Sequence, residues 1–318
     1  MRQSFRDFSI IVIDNGSDDG TVEFVRVNYP TVSVLENFKN LGYAKANNQG
    51  ILLAKSDYIL LTNPDVILAD DFLEKLVKAA DTHPEAGSIG GKVLKLFSEA
   101  MESNDDPDMR EVIKSDVIDT TGLQIFKSRR VVDRGEGQKD DGQFSRAEEV
   151  FGLSGCCALF RKSALDEVLI KNEAFDADFF AYKEDADLAW RLRLYGFTAW
   201  YCPAAVCYHH RQLPTYENKK LIKSLSQRLK VSKFLRALSF RNQQLMIVKN
   251  DLPINQFLAL PWFVFQEIKI IVASLIFEPF QWKSAMEFFK LLPNALIKRR
   301  VIMAHRRITA KEIRKWFK

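Results

Sequence analysis

The sequence predicts an α/β protein built around a mainly parallel sheet. One observation predicts this fold class, and a second predicts a globular core. Through the first hundred residues, short apolar runs alternate with amphipathic runs, and only short links separate them. The 318 residues are 47% hydrophobic and 27% charged, which is the composition of a globular protein with a large core. This composition excludes disordered and collagen-like chains, and four cysteines are too few for a disulfide scaffold.

The first hundred residues divide into strands and helices in turn. The run FSIIVID (8–14) is continuous, apolar and rich in β-branched residues, which is typical of a strand buried on both faces of a parallel sheet. The elements that follow are predicted from the same alternation, with strands at 32–37, 58–62 and 87–96 and helices at 21–27, 43–55 and 71–82.

The regular alternation stops after residue 96. Residues 97–148 contain an acidic, turn-rich stretch that predicts a surface excursion, with a hairpin at 122–135 beyond it. Periodic apolar segments follow this stretch, and they predict helices at 164–171 and 183–195 and a strand at 197–202. Beyond Pro214 the chain is predicted to be mostly helical, with breaks at Pro253, Pro261, Pro279 and Pro293.

Charge divides the chain into two parts. Residues 219–318 contain 21 Lys and Arg against 5 Asp and Glu, whereas the preceding residues contain 25 against 36. We therefore predict an α/β domain at 1–215 and a basic amphipathic helical region at 216–318. No apolar segment at the start resembles a signal peptide, and the longest uncharged run of the tail, 252–266, has 15 residues. A membrane span needs about 20 apolar residues, and the few cysteines favour the reduced cytosol.

Two carboxylates follow buried strands. Asp14 ends the first predicted strand, where open α/β sheets bind ligands, so it could hold a ribose or a base; the alternative is an Asx turn. Asp65 follows the strand at 58–62 in the motif Asn63-Pro64-Asp65. A carboxylate fixed there could bind a divalent cation, or it could only cap the next helix.

A third motif opens the helix at 183–195. Glu184 and Asp185 lie in its first turn, where the helix dipole favours anions and is expected to keep both ionised. A carboxylate at this position could act as a general base on a hydroxyl, or it could be ordinary first-turn acid enrichment. Asp187 and Arg191 are spaced four residues apart on the helix and are expected to form a structural pair.

A fourth motif, VCYHH, ends in His209 and His210. A neutral imidazole can bind Mn²⁺ beside carboxylates, although a histidine is more often a packing or surface residue.

These motifs, in this order, resemble family 2 glycosyltransferases of GT-A fold. The resemblance covers about 210 residues and is carried by IIVIDNGSDDGT, NLGYAKANNQGI, LLTNPDV, the block from GLSGCCALFRK to KEDADLAWRLRLYGF, and VCYHH. The most similar branch is the rhamnosyltransferase-like group that builds cell-envelope glycans. The tail also resembles that branch, in RNQQLMIVKND and IKRRVIMAHRRITAKEIRKWF.

The resemblance implies a donor site and a metal site. By its motifs, Asp14 would contact the nucleoside, Asn47 would help to close that pocket and Asn63 would face the ribose. Asp65 and His209 would hold Mg²⁺ or Mn²⁺.

The resemblance also implies the reaction. Asp185 corresponds to the family's catalytic base, with Glu184, Asp187 and Arg191 in support. The expected reaction is inverting transfer from a nucleotide-diphosphate sugar, with dTDP-rhamnose suggested by the branch, to a glycan or a polyprenyl-diphosphate-linked acceptor.

One feature departs from the family pattern. Such enzymes begin with a strand of the PxYN or NWN kind and a helix, about thirty residues before the IVIDNGS strand, whereas this sequence begins after them. The absence of that strand is expected to leave a buried sheet edge unpaired. A second hypothesis is therefore a non-catalytic remnant that binds membrane or a partner glycosyltransferase.

The tail predicts the location of the protein. The segments FLALPWFVFQEIKIIVASLIF and FEPFQWKSAMEFFKLLPNALIKRR mix large apolar residues with Lys and Arg, which is typical of helices lying in a membrane interface. We expect a peripheral protein on the cytoplasmic face of the cell membrane. A solvated charged face or a dimer interface is the alternative. Nucleic acid is not expected as a partner, because the aromatics lie in apolar runs.

Overall fold

The computed structural model describes residues 2–100, 110–210, 231–262, 264–265, 268, 278 and 280–318. The strands of this part are β1 (Ile11–Asp14), β2 (Ser33–Glu36), β3 (Tyr58–Thr62), β4 (Val66–Leu68), β5 (Ala86–Ala100), β6 (Arg110–Thr120), β7 (Leu123–Ile125), β8 (Val131–Asp133), β9 (Glu148–Glu149), β10 (Cys157–Arg161) and β11 (Thr198–His209). The helices are α1 (Thr21–Asn28), α2 (Tyr43–Leu53), α3 (Phe72–Thr82), α4 (Lys162–Glu167), α5 (Glu184–Leu194), α6 (Lys233–Asn250), α7 (Pro253–Leu258), α8 (Gln281–His305) and α9 (Ala310–Arg314).

The main sheet has seven strands and is mixed. Its central order is β3-β10-β5-β11-β4, with β6 added to β5 and β9 added to β11. β5 and β11 are parallel, whereas β10 runs antiparallel to both β3 and β5. Helices α2, α3 and α5 bury side chains against the core, so the predicted α/β class with flanking helices is confirmed.

β1 lies outside the main sheet. Among the described residues it pairs in parallel with β2 alone. Residues Ile11, Val12 and Ile13 are only half-buried, so the prediction of a strand buried on both faces is wrong. A strand with a neighbour on one edge retains solvent contact that a central strand loses.

The sequence prediction missed two strands that contribute to the site. β4 follows Asp65 directly, and it pairs with the end of β11. β6 lies in the stretch predicted as a surface excursion; within that stretch, residues 101–109 lie outside the described residues. The predicted hairpin is confirmed as β7 and β8. β11 is longer than predicted and includes His209.

Two prolines of the tail occupy different positions within helices. Pro253 is the first residue of α7, as expected for a helix start. Pro293 lies inside α8, so the predicted break there is wrong. Buried residues on both sides of it, among them Ser284 and Ile302, hold the helix against the protein, and this packing outweighs the local cost of proline.

Helices α6 and α8 pack against each other, and both contact the segment that precedes α5. Lys249 of α6 and Lys298 of α8 both bind the buried carboxylate of Asp176. The predicted domain boundary at residue 215 lies outside the described residues. In the described ranges, no helix is both long and apolar enough to cross a membrane.

Candidate active site

Asp65 and His209 come together at one end of the main sheet. β4 pairs with β11 in the register Val66 to His209, which places Asp65 beside the end of β11. The backbone N–H of His210 donates to the carbonyl of Asp65 at 2.9 Å. The side chains meet as well, with 3.3 Å between His209 Nε2 and Asp65 Oδ1.

Asp119 completes this group from a third strand. It lies near the end of β6 and is only 1% exposed. Its Oδ2 is 2.8 Å from His209 Nδ1, so two carboxylates flank opposite nitrogens of one imidazole. Asp119 belongs to none of the motifs that the sequence shows. The available signal was a carboxylate directly after the apolar pair Val117-Ile118, since a buried acid in a strand is rarely left without a partner.

The Asp65–His209 pair fits a divalent cation. Asp65 Oδ1 is a buried atom that accepts no hydrogen bond, which is costly for a carboxylate unless another group binds it. A carboxylate oxygen beside an imidazole nitrogen is a ligand set suited to Mn²⁺ and related ions. Cys156 also lies in the group, since its sulfur is within 4.8 Å of ligand atoms of Asp119 and His209. Burial raises the pKa of the Cys156 thiol well above its usual range, so it is a protonated thiol at neutral pH.

Asp185 is held by backbone donors at the start of α5. Its Oδ2 accepts a hydrogen bond from Gly155 N at 3.0 Å, and its Oδ1 accepts one from Ala186 N at 2.7 Å. The Tyr43 hydroxyl donates to the carbonyl of Gly155 at 2.6 Å. A Cβ at residue 155 would lie 3.1 Å from that hydroxyl, so glycine permits the close approach.

One short segment connects Asp185 to the Asp65–His209 pair. Gly155 binds Asp185, and the next residue, Cys156, accepts a hydrogen bond on its carbonyl from Asn63 N at 2.9 Å. Asn63 is two residues before Asp65. The sequence motifs around residues 63–65, 155–157 and 185 therefore meet at one location.

Glu184 differs from Asp185 in its environment. It is buried, and its Oε2 has no hydrogen-bond partner. Burial, together with the neighbouring charge of Asp185, raises the pKa of Glu184 to about 8. The expectation that the helix dipole keeps both acids ionised is therefore wrong for Glu184, because loss of hydration outweighs the dipole.

The loop before α5 has an unusual backbone that α6 supports. Phe180, Tyr182 and Lys183 have φ values of 63°, 71° and 70°, in the left-handed region that non-glycine residues seldom adopt. The buried amide of Asn242 donates to the carbonyls of Phe179, Ala181 and Tyr182 at 2.8–2.9 Å. A helix of the basic tail thus maintains the conformation of the loop that leads to Asp185.

The predicted pair of Asp187 and Arg191 is present but loose, with 3.8 Å between the charged atoms. The guanidinium of Arg191 donates to the carbonyls of Val168 and Ala174 instead. Lys249 is the closer partner of Asp187, at 2.7 Å. Asp187 and Arg191 are both buried, so their contact lies in the core.

Two of the residues expected to bind nucleotide, Asp14 and Asn47, form hydrogen bonds with backbone groups of their own segments. Asp14 lies on the separate two-stranded sheet, where its Oδ2 accepts hydrogen bonds from Gly16 N and Ser17 N, as in an Asx turn. Hydrogen bonds from Ser17 are the main cause that lowers the pKa of Asp14. The Asn47 side chain donates to the carbonyl of Tyr43 within α2.

Comparison with known proteins shows the family to which the chain belongs. The family model described as Glycosyl transferase family 2 matches residues 1–169, more than half of the chain. The chain belongs to glycosyl transferase family 2. The predicted family is confirmed, and the protein is a glycosyltransferase.

Two relatives illustrate the range of the family. N-acetylglucosaminyl-diphospho-decaprenol L-rhamnosyltransferase of Mycobacterium tuberculosis is 30% identical over 218 residues, which are 65% of this glycosyltransferase and 67% of the relative. Poly-beta-1,6-N-acetyl-D-glucosamine synthase of Staphylococcus epidermidis is 25% identical over 206 residues, and the match covers 63% of this chain and only 42% of that synthase.

A solved structure supports the fold. The crystal structure of GalNAc-T7 with UDP, GalNAc and Mn²⁺ superposes on 76% of this chain and 41% of its own, with a TM-score of 0.52 and 11% sequence identity. At this identity the similarity concerns the fold alone, and it confirms the predicted GT-A architecture.

Proposed function

We propose that this glycosyltransferase transfers a sugar, with inversion, from a nucleotide-diphosphate sugar to a hydroxyl of a cell-envelope glycan or a lipid-linked acceptor. The observation that supports it most directly is the buried Asp65 Oδ1, which accepts no hydrogen bond and lies 3.3 Å from His209 Nε2. A donor diphosphate needs its charge neutralised, and this pair could hold the cation that does so. The rhamnosyltransferase relative makes dTDP-rhamnose the first donor to test.

In this proposal each residue has one role. Asp65 and His209 hold Mg²⁺ or Mn²⁺, which supplies the charge that stabilises the departing diphosphate. Asp14, Asn47 and Asn63 bind the nucleoside and its ribose.

Asp185 performs the proton transfer. The acceptor oxygen bonds to the anomeric carbon while the bond from that carbon to the diphosphate oxygen breaks. The bonding electrons leave with the diphosphate, and the acceptor proton passes to Asp185. The raised pKa of Glu184 supports this choice, because a carboxyl group that is protonated at neutral pH cannot accept the proton.

Nucleotide binding tests the donor site. We expect calorimetric titration with UDP, dTDP and GDP to detect one nucleotide that binds only with Mn²⁺. Asp65→Ala should weaken this binding by more than the roughly 10–100-fold that loss of an outer-shell partner costs, because it removes a proposed ligand.

The control for this titration is Asp57→Ala, which removes an exposed carboxylate just before the other end of β3 and should leave affinity unchanged. A folded sample that binds none of the three nucleotides would contradict the proposal. It would favour the second hypothesis, a non-catalytic protein that binds membrane or a partner glycosyltransferase.

We also propose that the tail binds an anionic membrane surface. Trp282, Met286 and Phe289 form one stripe along α8, and each is more than half exposed. Phe257 and Trp262 are exposed nearby in the chain, and the ammonium of Lys127 lies 5.9 Å from the Trp262 ring. Large apolar side chains beside lysines suit insertion among anionic lipid headgroups, on the cytoplasmic face where the lipid-linked acceptor is expected.

Vesicle binding tests this surface. The variant Trp282→Ala/Phe289→Ala is expected to bind phosphatidylglycerol-containing vesicles at least about tenfold more weakly in co-sedimentation, because it removes two exposed aromatic side chains that would insert among the lipids. Phe24→Ala/Phe38→Ala removes exposed aromatics from the N-terminal part of the chain and serves as the matched control. Equal binding by both variants would exclude this surface as the anchor.

A further inference from the structure

We infer that Asp119 is a positioning residue of the proposed cation site: it holds the imidazole of His209 so that Nε2 faces Asp65. The inference rests on the proposed function, in which Asp65 and His209 bind the cation. It adds a residue that the motifs do not contain, from a strand that the sequence pattern did not predict.

The contacts on the two ring nitrogens support this role. His209 Nδ1 lies 2.8 Å from Asp119 Oδ2, whereas Nε2 lies 3.3 Å from Asp65 Oδ1. His209 is 7% exposed and Asp119 1% exposed, so water competes little for the contact between them. The ring thus lies between two carboxylates. Asp119 contacts Nδ1, and Asp65, whose Oδ1 accepts no hydrogen bond, lies beside Nε2.

The hydrogen bond with Asp119 determines which nitrogen of the His209 ring carries the proton. An ionised carboxylate can only accept a hydrogen bond, so the proton between Asp119 and His209 belongs to Nδ1. Nε2 is then left with a lone pair that points toward Asp65. A carboxylate on the far nitrogen of a ligating histidine fixes its tautomer and orientation and makes the ring a better ligand.

The sheet keeps Asp119 in place. Its neighbour Thr120 pairs with Val93 of β5, and Val93 also pairs with Cys207 of β11, two residues before His209. Three strands therefore determine the distance between the carboxylate and the imidazole. A site built on strands is more precise than one built on loops.

Direct coordination by Asp119 is the competing arrangement, because Asp119, Cys156 and His209 bring their ligand atoms within 4.8 Å of one another. One observation opposes it. The contact of 2.8 Å with Asp119 Oδ2 already occupies Nδ1 of His209.

The experiment measures Mn²⁺ affinity of the full chain by electron paramagnetic resonance, with and without the nucleotide that binds best. Asp119→Ala is expected to weaken Mn²⁺ binding about 10–100-fold. Asp116→Ala, which removes an exposed carboxylate from the same strand, and Cys156→Ala should bind as the unmodified chain does. Unchanged affinity in a folded Asp119→Ala sample would overturn the inference. Equal losses in Asp119→Ala and Cys156→Ala would also overturn it, because they would make both residues direct ligands.

A second readout needs no metal. Nitrogen-15 NMR of the histidine side chains should report His209 protonated on Nδ1 in the unmodified chain, and a shift toward the Nε2-protonated form in Asp119→Ala. Failure of the unmodified chain to bind Mn²⁺ would contradict the proposed function, whereas the NMR result would still decide whether Asp119 orients the ring. The Nε2-protonated form in the unmodified chain would overturn the inference.

Discussion

Replacing Asp185 with asparagine is expected to lower kcat by about 10²–10⁴-fold, the usual contribution of a general base. Asparagine has the same shape, and its one carbonyl oxygen can keep the hydrogen bond from Gly155 N while the bond from Ala186 N is lost, so the contact between α5 and residue 155 should persist. It cannot take a proton from the acceptor. Steady-state turnover with dTDP-rhamnose or another active donor, together with nucleotide affinity, measures the effect, and nucleotide affinity should not change.

Two further variants make this result specific. Asp166→Asn, on the exposed carboxylate of α4, should leave turnover unchanged. Glu184→Gln replaces a group with a pKa of about 8 by a neutral one of equal size, so it should retain far more turnover than Asp185→Asn. Undiminished turnover in Asp185→Asn would exclude Asp185 as the general base. A larger loss of turnover in Glu184→Gln than in Asp185→Asn would assign that role to Glu184.

Replacing Lys249 with alanine is expected to lower the free energy of unfolding by about 3–5 kcal/mol, as for other buried ion pairs that lose one partner. Lys249 is 1% exposed, and its Nζ lies 2.5 Å from Asp176 and 2.7 Å from Asp187. Its removal leaves two buried carboxylates with fewer cations around them. Urea denaturation measures the loss, and Lys139→Ala, which breaks an exposed pair, should change the midpoint little.

Acid unfolding gives an independent measure of the same contact. Burial alone would raise the pKa of Asp176, but the ammonium groups of Lys249 and Lys298 hold it well below its usual range. A carboxylate with a lowered pKa in the folded state contributes stability above its unfolded pKa of about 3.9, and this stability is lost as the pH falls. Lys249→Ala should therefore lose less stability on acidification than the unmodified chain. An equal loss in both would contradict this account.

Much of the site could be predicted from the sequence, because its residues lie at the ends of strands. Asp65 follows the apolar run 58–62, and His209 ends the run that begins at Thr198. Apolar periodicity and turn residues are local properties, so they reveal where a strand ends and which polar residue follows. The start of the helix likewise indicates Glu184 and Asp185, and the resemblance to the family implies that Asp185 is the base.

Other parts depended on contacts between distant residues. Asp119 lies in the stretch 97–148, which the sequence predicts to be a surface excursion. The pairing of β6 with β5 buries it beside His209. In the sequence, Asn242 is one polar residue among others in a basic helix. Its contact with the loop before α5 depends on the packing of α6. The ionisation of Glu184 likewise follows from burial, which the sequence around it does not encode.

The α/β class and most of the elements follow from local patterns, because each depends on neighbours a few residues away, and the motifs that resemble the family imply the candidate ligands and base. Contacts between distant segments keep Pro293 within a helix, bring Lys249 to Asp176 and Asp187, and place Asp119 beside His209. These features arise from strand pairing and packing between segments far apart in the chain. Their energies come from burial and from charge pairing in a region with little water, which exist only once the chain has folded.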